Sequence, residues 1–579
     1  MVPDIIRDST IGGLVRYFSG NKYLLFADER ADFVIPALLL PPSHAKRPSP
    51  VSYVSSDRAT LVDGDEGESK KSPVATPFRP PLGREATLIG SADIEKLKEL
   101  TEAEIPDPYL VDWYGPDDPD NPKNWSGKKR AFVTFNMCLL TFAMYIGSAI
   151  YTPSIPGIME EFGISLTHAT LGLTLYVLGY GMGPMFLTPF QELAAYGRNT
   201  VYILTMFLFV IFQIPIITAR NVETIMAFRF LTGFVGSPVL ATGGATLSDM
   251  YNKRTRPYVL GLWSLGATLG PTTGPVMGGF AAMAMNWRWP LYEMIWISAF
   301  AFVFLCLLMP ETYGPTILLK RAERLRKLTG NEQLRTQDEK DNQGETVAHV
   351  FLEAIYRPFV LCLEPMLMFT NIYIGFVYAI FYLWFESFPI VFTEIHGLNL
   401  GMSGLPFLGF IVSGTLCYTC YCLYQRYHIA PRFDRIEGAG KEVPPEIRLE
   451  IGIVGSILIP VSVLIFGFTA KESISPFVSV FAAALYLPGI YLVFQGVVSY
   501  LCEAYPDYES AVLAGNDLVR SSIAGVFPLF GHLFFTRMGL GPACAILASV
   551  SFVLILGLAG FWKWGYILRA RSKYAHHDA

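Results

Sequence analysis

The chain has 579 residues, of which 52% are hydrophobic and 14% aromatic; only 16% are charged, and the net charge is −5. An ordinary soluble domain carries about 25% charged residues, so this composition excludes a soluble globular protein. With a net charge of −5 and no basic stripe with interleaved aromatics, no nucleic-acid partner is expected.

The N-terminal stretch 1–127 is polar and rich in proline, and is expected to be an arm on the cytoplasmic side. Residues 1–20 include Asp4, Arg7, Asp8 and Arg16 and no continuous apolar run, so they do not read as a secretory signal. Residues 1–40 read as a short amphipathic helix with Ile5, Ile6, Leu14, Val15 and Phe18 among its charges. Residues 41–90, rich in Pro, Ser, Asp and Glu, bury too little apolar surface to offset chain entropy and read as disordered. A short helix is predicted at 91–110. The arm reads as a tether, or as a regulatory or trafficking segment.

From Lys128 the apolar runs are long enough to count, since about 20 apolar residues cross a bilayer core. Spans are predicted at 131–152, 168–190, 200–219, 224–250, 258–284 and 289–309, then at 361–392, 401–424, 451–469, 477–501, 512–536 and 541–563. This is an all-α polytopic membrane protein of twelve transmembrane helices in two six-helix bundles, 128–310 and 358–566. A connector, 311–357, joins them, and a tail, 567–579, follows. Basic residues concentrate in alternate loops: Lys128, Lys129, Arg130, Arg198, Lys253, Arg254, Arg256 and the Lys320–Lys327 cluster lie on one side. Only Arg220, Arg288, Lys471 and Arg537 lie on the other. Positive residues stay inside, so both termini and the connector are expected in the cytoplasm. A faint echo relates the bundles: Asp249-Met-Tyr251 precedes Gly261 by the same spacing as Glu503-Ala-Tyr505 precedes Gly515, as a six-plus-six repeat requires.

The fifth span carries Gly261, Gly270, Gly274-Pro275 and Gly278-Gly279. Glycines at i, i+4 and i+8 make one smooth face on which helix backbones approach closely, and the prolines remove backbone donors and favour a bend. This helix is expected to pack against the opposite bundle. Its pattern resembles the antiporter motif of the major facilitator superfamily. Arg229-Phe-Leu-Thr-Gly233 in the fourth span is similar to that superfamily's intramembrane arginine motif. Pro189-Phe-Gln-Glu192-Leu-Ala-Ala-Tyr-Gly197-Arg198 resembles its cytoplasmic gate motif, with Glu in place of Asp and two extra residues before Gly-Arg. The stretch from Trp113 to Trp125, with Gly115, Pro119, Asn121-Pro122 and Asn124, resembles the signature of fungal twelve-helix drug:proton antiporters. Pro310-Glu311-Thr312 and the tail Leu568-Arg-Ala-Arg-Ser-Lys-Tyr574 fit the same group. Over 110–575 the chain is most similar to yeast transporters of fluconazole, benomyl, cycloheximide and caffeine resistance.

The resemblance implies a major facilitator fold and a monomer in the plasma membrane. It implies export of varied hydrophobic or amphipathic drugs in exchange for protons, by alternating access, with no enzymatic step. Glu192, Gly197, Arg198 and Asp249 would form the cytoplasmic gate, Arg198 pairing with Asp249 and Glu192 meeting the positive end of the eleventh helix. A dedicated carrier for one compound, such as a polyamine or a secondary metabolite, and a transporter-like receptor remain alternatives. No phosphate-binding loop is present, because Gly127-Lys128-Lys129 lacks the earlier glycine and the following hydroxyl. Most of the eight cysteines fall in apolar runs, and Cys417-x-x-Cys420 has no second pair or histidine cluster beside it, so no metal and no cofactor are expected.

Ionisable groups inside spans are functional candidates by default: Arg229, Glu293, Glu364, Glu386, Asp517, Arg520 and His532. Proton exchange needs a carboxylate whose affinity for protons is raised by burial, and 131–152 holds none. Glu293 or Glu364 is expected to carry the proton and Arg229 to sense it, with Glu386 a further candidate. Asp517 and Arg520, at i, i+3 spacing near the cytosol, read at least as well as a local structural pair. Tyr176, Tyr180, Tyr378, Tyr382, Phe385 and Gln495 are expected to line a drug pocket between the bundles, since aromatic walls with a few polar groups suit flat amphipathic molecules.

Overall fold

The computed structural model describes residues 2–20, 22–30, 107, 109–342, 347–440 and 443–575. The stretch predicted to be disordered, 41–90, and nearly all of the helix predicted at 91–110 lie outside them. Twelve long helices form the body. In the first half these are α1 (Gly127–Ala149), α2 (Leu166–Glu192), α3 (Gly197–Ile217), α4 (Val222–Met250), α5 (Arg256–Ala284) and α6 (Trp289–Leu308). In the second half they are α7 (Pro365–Phe388), α8 (Leu408–Tyr424), α9 (Leu449–Thr469), α10 (Pro476–Ala504), α11 (Glu509–Met538) and α12 (Leu540–Arg569). A helix satisfies its backbone internally, which is what a chain crossing hydrocarbon requires.

Local chemistry moves several boundaries from where hydropathy puts them. Ser126 accepts the Lys129 N–H and starts α1 at the charged Gly127. The chain breaks at Leu363-Glu364, just before Pro365, so Val347–Cys362 is a helix of its own rather than the beginning of α7; a residue before proline is steered out of the helical region. Eleven helical stretches are both long and apolar enough to cross a membrane. The helix missing from that set is α5. Its 29 residues are long enough, but Gly, Pro, Ser and Thr replace bulky apolar side chains because α5 is wedged between α1 and the first turns leading into α8.

Within the first half α2 packs on α4, α3 on α4, and α1 on α5; within the second, α9 packs on α10 and α12, and α7 on α11. The halves meet along two seams, α2 against α11 and α5 against α8. Their kinship shows in an ion pair present twice. Arg198 at the start of α3 bonds Asp249 at the end of α4 at 2.8 Å, and Arg448, just before α9, bonds Glu503 near the end of α10 at 2.6 Å. Both pairs lie on the face that also carries the described chain ends and the connector, here called the terminal face.

The described part of the N-terminal arm is docked on that face. Helices Val2–Asp8 and Thr10–Phe18 pack at the end of α6, and Asp8 bonds Lys129 at 2.8 Å. The Phe26 ring lies against the guanidinium groups of Arg7, Arg16 and Arg324. Residues 109–126 then wrap the connector helix Gly314–Thr329, where buried Arg321 bonds Asp118 at 2.7 Å and Asp120 at 2.9 Å.

Candidate functional site

Arg229 of α4 is fully buried. Its Nε donates to the Gly172 carbonyl of α2 at 2.9 Å and its Nη1 to the Gly147 carbonyl of α1 at 2.8 Å. The guanidinium lies between the rings of Tyr151 and Tyr176, at 4.5 and 4.4 Å. No ion pair joins it to an acid among the described residues. Glu293, expected as its proton-carrying partner, stands one turn into α6 with its Oε2 buried and unbonded. No ion pair or hydrogen bond joins Glu293 to Arg229 among the described residues.

Toward the middle of the molecule the aromatic candidates come together. The Tyr180 hydroxyl of α2 donates to Tyr378 of α7 at 3.2 Å and lies 3.1 Å from the Tyr382 hydroxyl, so these bonds join the two halves. Tyr176 stacks edge-on with Tyr180, and Tyr145 of α1 does the same from the other side. Phe385 extends the layer on α7 and stacks on Phe407. Gln495 does not join them. It faces the other side of α10, in a crevice with Tyr421, Gln425, Arg448 and Ser499 within the second half. The apolar run around Gln495 gave no phase for the buried face, which is why the sequence misplaced it.

One turn from the tyrosines lies the charge pair of α11. Asp517 and Arg520 are 4% and 7% exposed and ion-paired to each other. Arg520 faces the Tyr378 ring at 5.0 Å and the Phe494 ring of α10 at 5.3 Å. The backbone of α2 comes down on this pair at Gly181, where a Cβ would sit 2.5 Å from Ser521 Cβ and 3.4 Å from the Asp517 carbonyl oxygen. The local i, i+3 pair that the spacing suggests does form, and it is buried. The pair lies about 12–17 Å along α11, at 1.5 Å per residue, inside the seam between the halves.

On the terminal face Gly197 has φ +70° and its missing side chain leaves room for the Glu311 carboxylate. Glu311 then caps α3, accepting the backbone N–H of Arg198 at 3.3 Å and of Asn199 at 3.1 Å, the role of an acid at a helix N-terminus. In sequence, Glu311 stands out only as part of the Pro310-Glu311-Thr312 motif that closes the sixth span. Glu192 lines an open cleft of about 460 Å³ with Pro189, Arg357 and the beginning of α11 at Tyr508, Ser510 and Ala511. It forms no ion pair among the described residues.

The α5 glycines divide between two partners. A Cβ on Gly270, Gly274 or Gly278 would sit 2.7–2.9 Å from backbone atoms of Ile146 or Ile150, so this face packs on α1 of its own half. Gly279 instead meets Leu400 and Gly401, and Gly261 meets Tyr418, Tyr421 and Tyr491 of the other half. The expectation that the whole motif faces the opposite bundle is corrected: i, i+4 spacing defines a face and leaves its neighbour open.

Two other acids lie away from the aromatic layer. Glu364 is the residue capping α7 at the terminal face and accepts the Tyr505 hydroxyl at 2.8 Å. Glu386 is buried near the far end of α7 against Gly531, within the second half. His532 lies near Glu394, at 3.7 Å, on a partly exposed edge.

Residues 137–528 match the family model of the Major Facilitator Superfamily. The chain belongs to the Major Facilitator Superfamily. It is 34% identical over 583 residues to the cycloheximide resistance protein of Candida maltosa, covering 99% of each chain. It is 37% identical over 481 residues to fluconazole resistance protein 1 of Saccharomyces cerevisiae, covering 82% of this chain and 86% of that one. The fold is also that of the human organic anion transporter MFSD10, with TM-score 0.51 and 15% identity over 74% of this chain and 99% of that one.

As a superfamily member the chain is a membrane transporter and not an enzyme. The geometry suits that work. The two superfamily bundles touch through small residues, tyrosine hydroxyls and ion pairs, contacts that can be exchanged as bundles rock. Each bundle is held within itself by larger apolar packing and by anchors such as Arg229.

Proposed function

We propose that this transporter exports hydrophobic and amphipathic drugs from the cytoplasm across the plasma membrane, in exchange for protons entering. The terminal face is assigned to the cytoplasm on the basic residues of its loops. The observation that carries the reading is the end-to-end likeness to a relative named for cycloheximide resistance. The site supports it. A layer of Tyr145, Tyr176, Tyr180, Tyr378 and Tyr382 crosses the boundary between the bundles, and offers ring faces and hydroxyls to flat drugs of varied outline. In the same reading Glu192, Arg198, Asp249 and Glu311 belong to the cytoplasmic gate, and the molecule acts as a monomer.

The test is purified protein in liposomes with a pH gradient, and radiolabelled cycloheximide and fluconazole as cargo. Gradient-driven accumulation of either, abolished by collapsing the gradient, is the expected result. Movement that ignores the gradient would overturn proton exchange. Binding without movement would favour a receptor, and movement of neither would favour a carrier for one dedicated compound.

A further inference from the structure

The Asp517–Arg520 pair leaves one buried polar atom on each side chain without a protein partner. Asp517 Oδ1 takes both the Arg520 bond and, at 3.3 Å, the Ser521 hydroxyl. Asp517 Oδ2 and Arg520 Nε are buried with no partner. A buried ion pair stabilises least when its remaining lone pairs and protons go unsatisfied, because desolvation then weighs against the attraction. Here an acceptor atom of a buried carboxylate between the two halves has no protein donor.

The position adds a second argument. The pair sits where the halves touch, beneath Gly181 of α2, and no second acid is bonded to it among the described residues. From α1 it is faced by Tyr145, from α2 by Tyr180, and from α7 by Tyr378 and Tyr382. From α10 it meets Phe494, and one turn toward the terminal face Cys362 lies beside Gly515. Glu223, Arg229 and Asp249 of α4 make no ion pair with it among the described residues. Phenols and thiols ionise well above neutrality in ordinary surroundings, so Asp517 is the group there suited to change charge in the working range. Glu293 and Glu386, by contrast, lie within one half each.

We infer that Asp517 is the residue that takes up the exchanged proton, at its unbonded Oδ2, with Arg520 as the charge partner that registers it. This rests on the reading of the chain as a proton-coupled exporter. A proton from water on the outer side forms an O–H bond at Oδ2. The carboxylate becomes neutral, and its attraction for Arg520 falls. The guanidinium is then held by the Tyr378 and Phe494 rings and by the tyrosine hydroxyls around it. On the cytoplasmic side the O–H bond breaks, the proton leaves to water, and the ion pair forms again. One proton is bound and one released, with no other bond changed. Because α2 rests on Ser521 and on the Asp517 backbone, the state of the pair bears on the α2–α11 seam that must open and close.

The test uses the full chain in liposomes, comparing wild type, Asp517→Asn and Asp517→Glu with radiolabelled cycloheximide. Two measurements are made: accumulation driven by a pH gradient, and exchange of labelled for unlabelled drug at equal pH on both sides. Asp517→Asn is expected to lose gradient-driven accumulation about ten-fold or more while keeping exchange within about two-fold, since only proton uptake is removed. Asp517→Glu keeps a carboxylate and is expected to retain coupling with a displaced pH profile. Undiminished accumulation by Asp517→Asn would overturn the inference. So would equal loss of exchange and accumulation in an Asp517→Asn protein that still binds cycloheximide, because that pattern marks a structural role. If wild type itself exchanges drug but ignores the gradient, the exporter reading fails first, and the inference with it.

Discussion

Arg256 at the start of α5 is ion-paired with Glu509 at the start of α11, across the boundary between the two halves. Beside it Arg254 bonds Asp434 at 2.6 Å, and these are the sites where ion pairs join the halves among the described residues. Both are on the terminal face, where they tie the two halves together. The Arg256 and Glu509 side chains are each 27% exposed, and a partly exposed pair contributes at most about 1 kcal/mol. Glu509→Gln should therefore shift the balance about two- to five-fold toward an open terminal face. The rate at which a water-soluble maleimide labels Ser510→Cys, in the cleft behind this pair, reads that shift. The double exchange Arg256→Glu with Glu509→Arg should return the rate toward wild type.

The divided face of α5 predicts two kinds of glycine mutant. A methyl on Gly274 would press on the backbone nitrogen of Ile150 at 2.7 Å, within one half. Backbone cannot swing aside, and overpacking of this sort costs about 1–3 kcal/mol. Gly274→Ala should lower the melting temperature in detergent. Gly279→Ala would press on the Leu400 carbonyl at 3.0 Å, across the moving seam. It should leave the melting temperature near wild type and slow transport instead. Equal effects of both substitutions on melting would refute the division.

How far the sequence could be read follows from what periodicity contains. Spacing was enough for twelve spans, for the glycine face of α5 and for Tyr378 and Tyr382 sharing a side of α7. It carries no information on which helix lies opposite. That is why Gly270 and Gly274 turn out to face α1 and why Gln495 points away from the tyrosines. Asp517 stood eight residues into its helix and looked like a group near the cytosol. Neighbours remote in sequence bury it, among them Gly181, more than three hundred residues away. Glu311 was visible as part of a closing motif, but a carboxylate becomes a cap only when another helix begins beside it.

The docked arm has its own pH dependence, and the sign can be derived. Burial pushes the Asp118 carboxyl up, but bonds from Arg321 and from the backbone N–H groups of Tyr114 and Asp120, with the Arg321 charge, outweigh it and hold Asp118 below the usual carboxylate range. A depressed carboxylate adds stability that is fully present above its unfolded value and is lost as pH falls through the folded one. The wrap of residues 109–126 around the connector should stay intact from neutral pH down through the ordinary carboxylate range, and loosen only in stronger acid. Hydrogen exchange of the Tyr114 and Asp120 amides as pH is lowered, corrected for intrinsic rates, checks this. In Asp118→Asn the charge is gone, and protection should already be reduced at neutral pH.

Arg229 has two competing roles, and its geometry favours one. A residue that senses a proton should face an acid, whereas Arg229 faces two carbonyls and two rings. It ties α4 to α1 and α2 in the way a planar fork of donors can and a single ammonium cannot. Arg229→Ala would remove the bonds to the Gly147 and Gly172 carbonyls, each worth about 1.5–3 kcal/mol as a bond from a charged donor, along with the packing of the guanidinium between two rings. Arg229→Lys reaches at most one of them well and should recover part of that loss. The expected order of melting temperature in detergent is wild type, then Arg229→Lys, then Arg229→Ala, with drug exchange at equal pH falling in the same order. If Arg229→Ala instead melted like wild type and kept exchange, while losing only the response to a pH gradient, Arg229 would be a coupling residue after all. The two bonds to backbone carbonyls would then be incidental to its work.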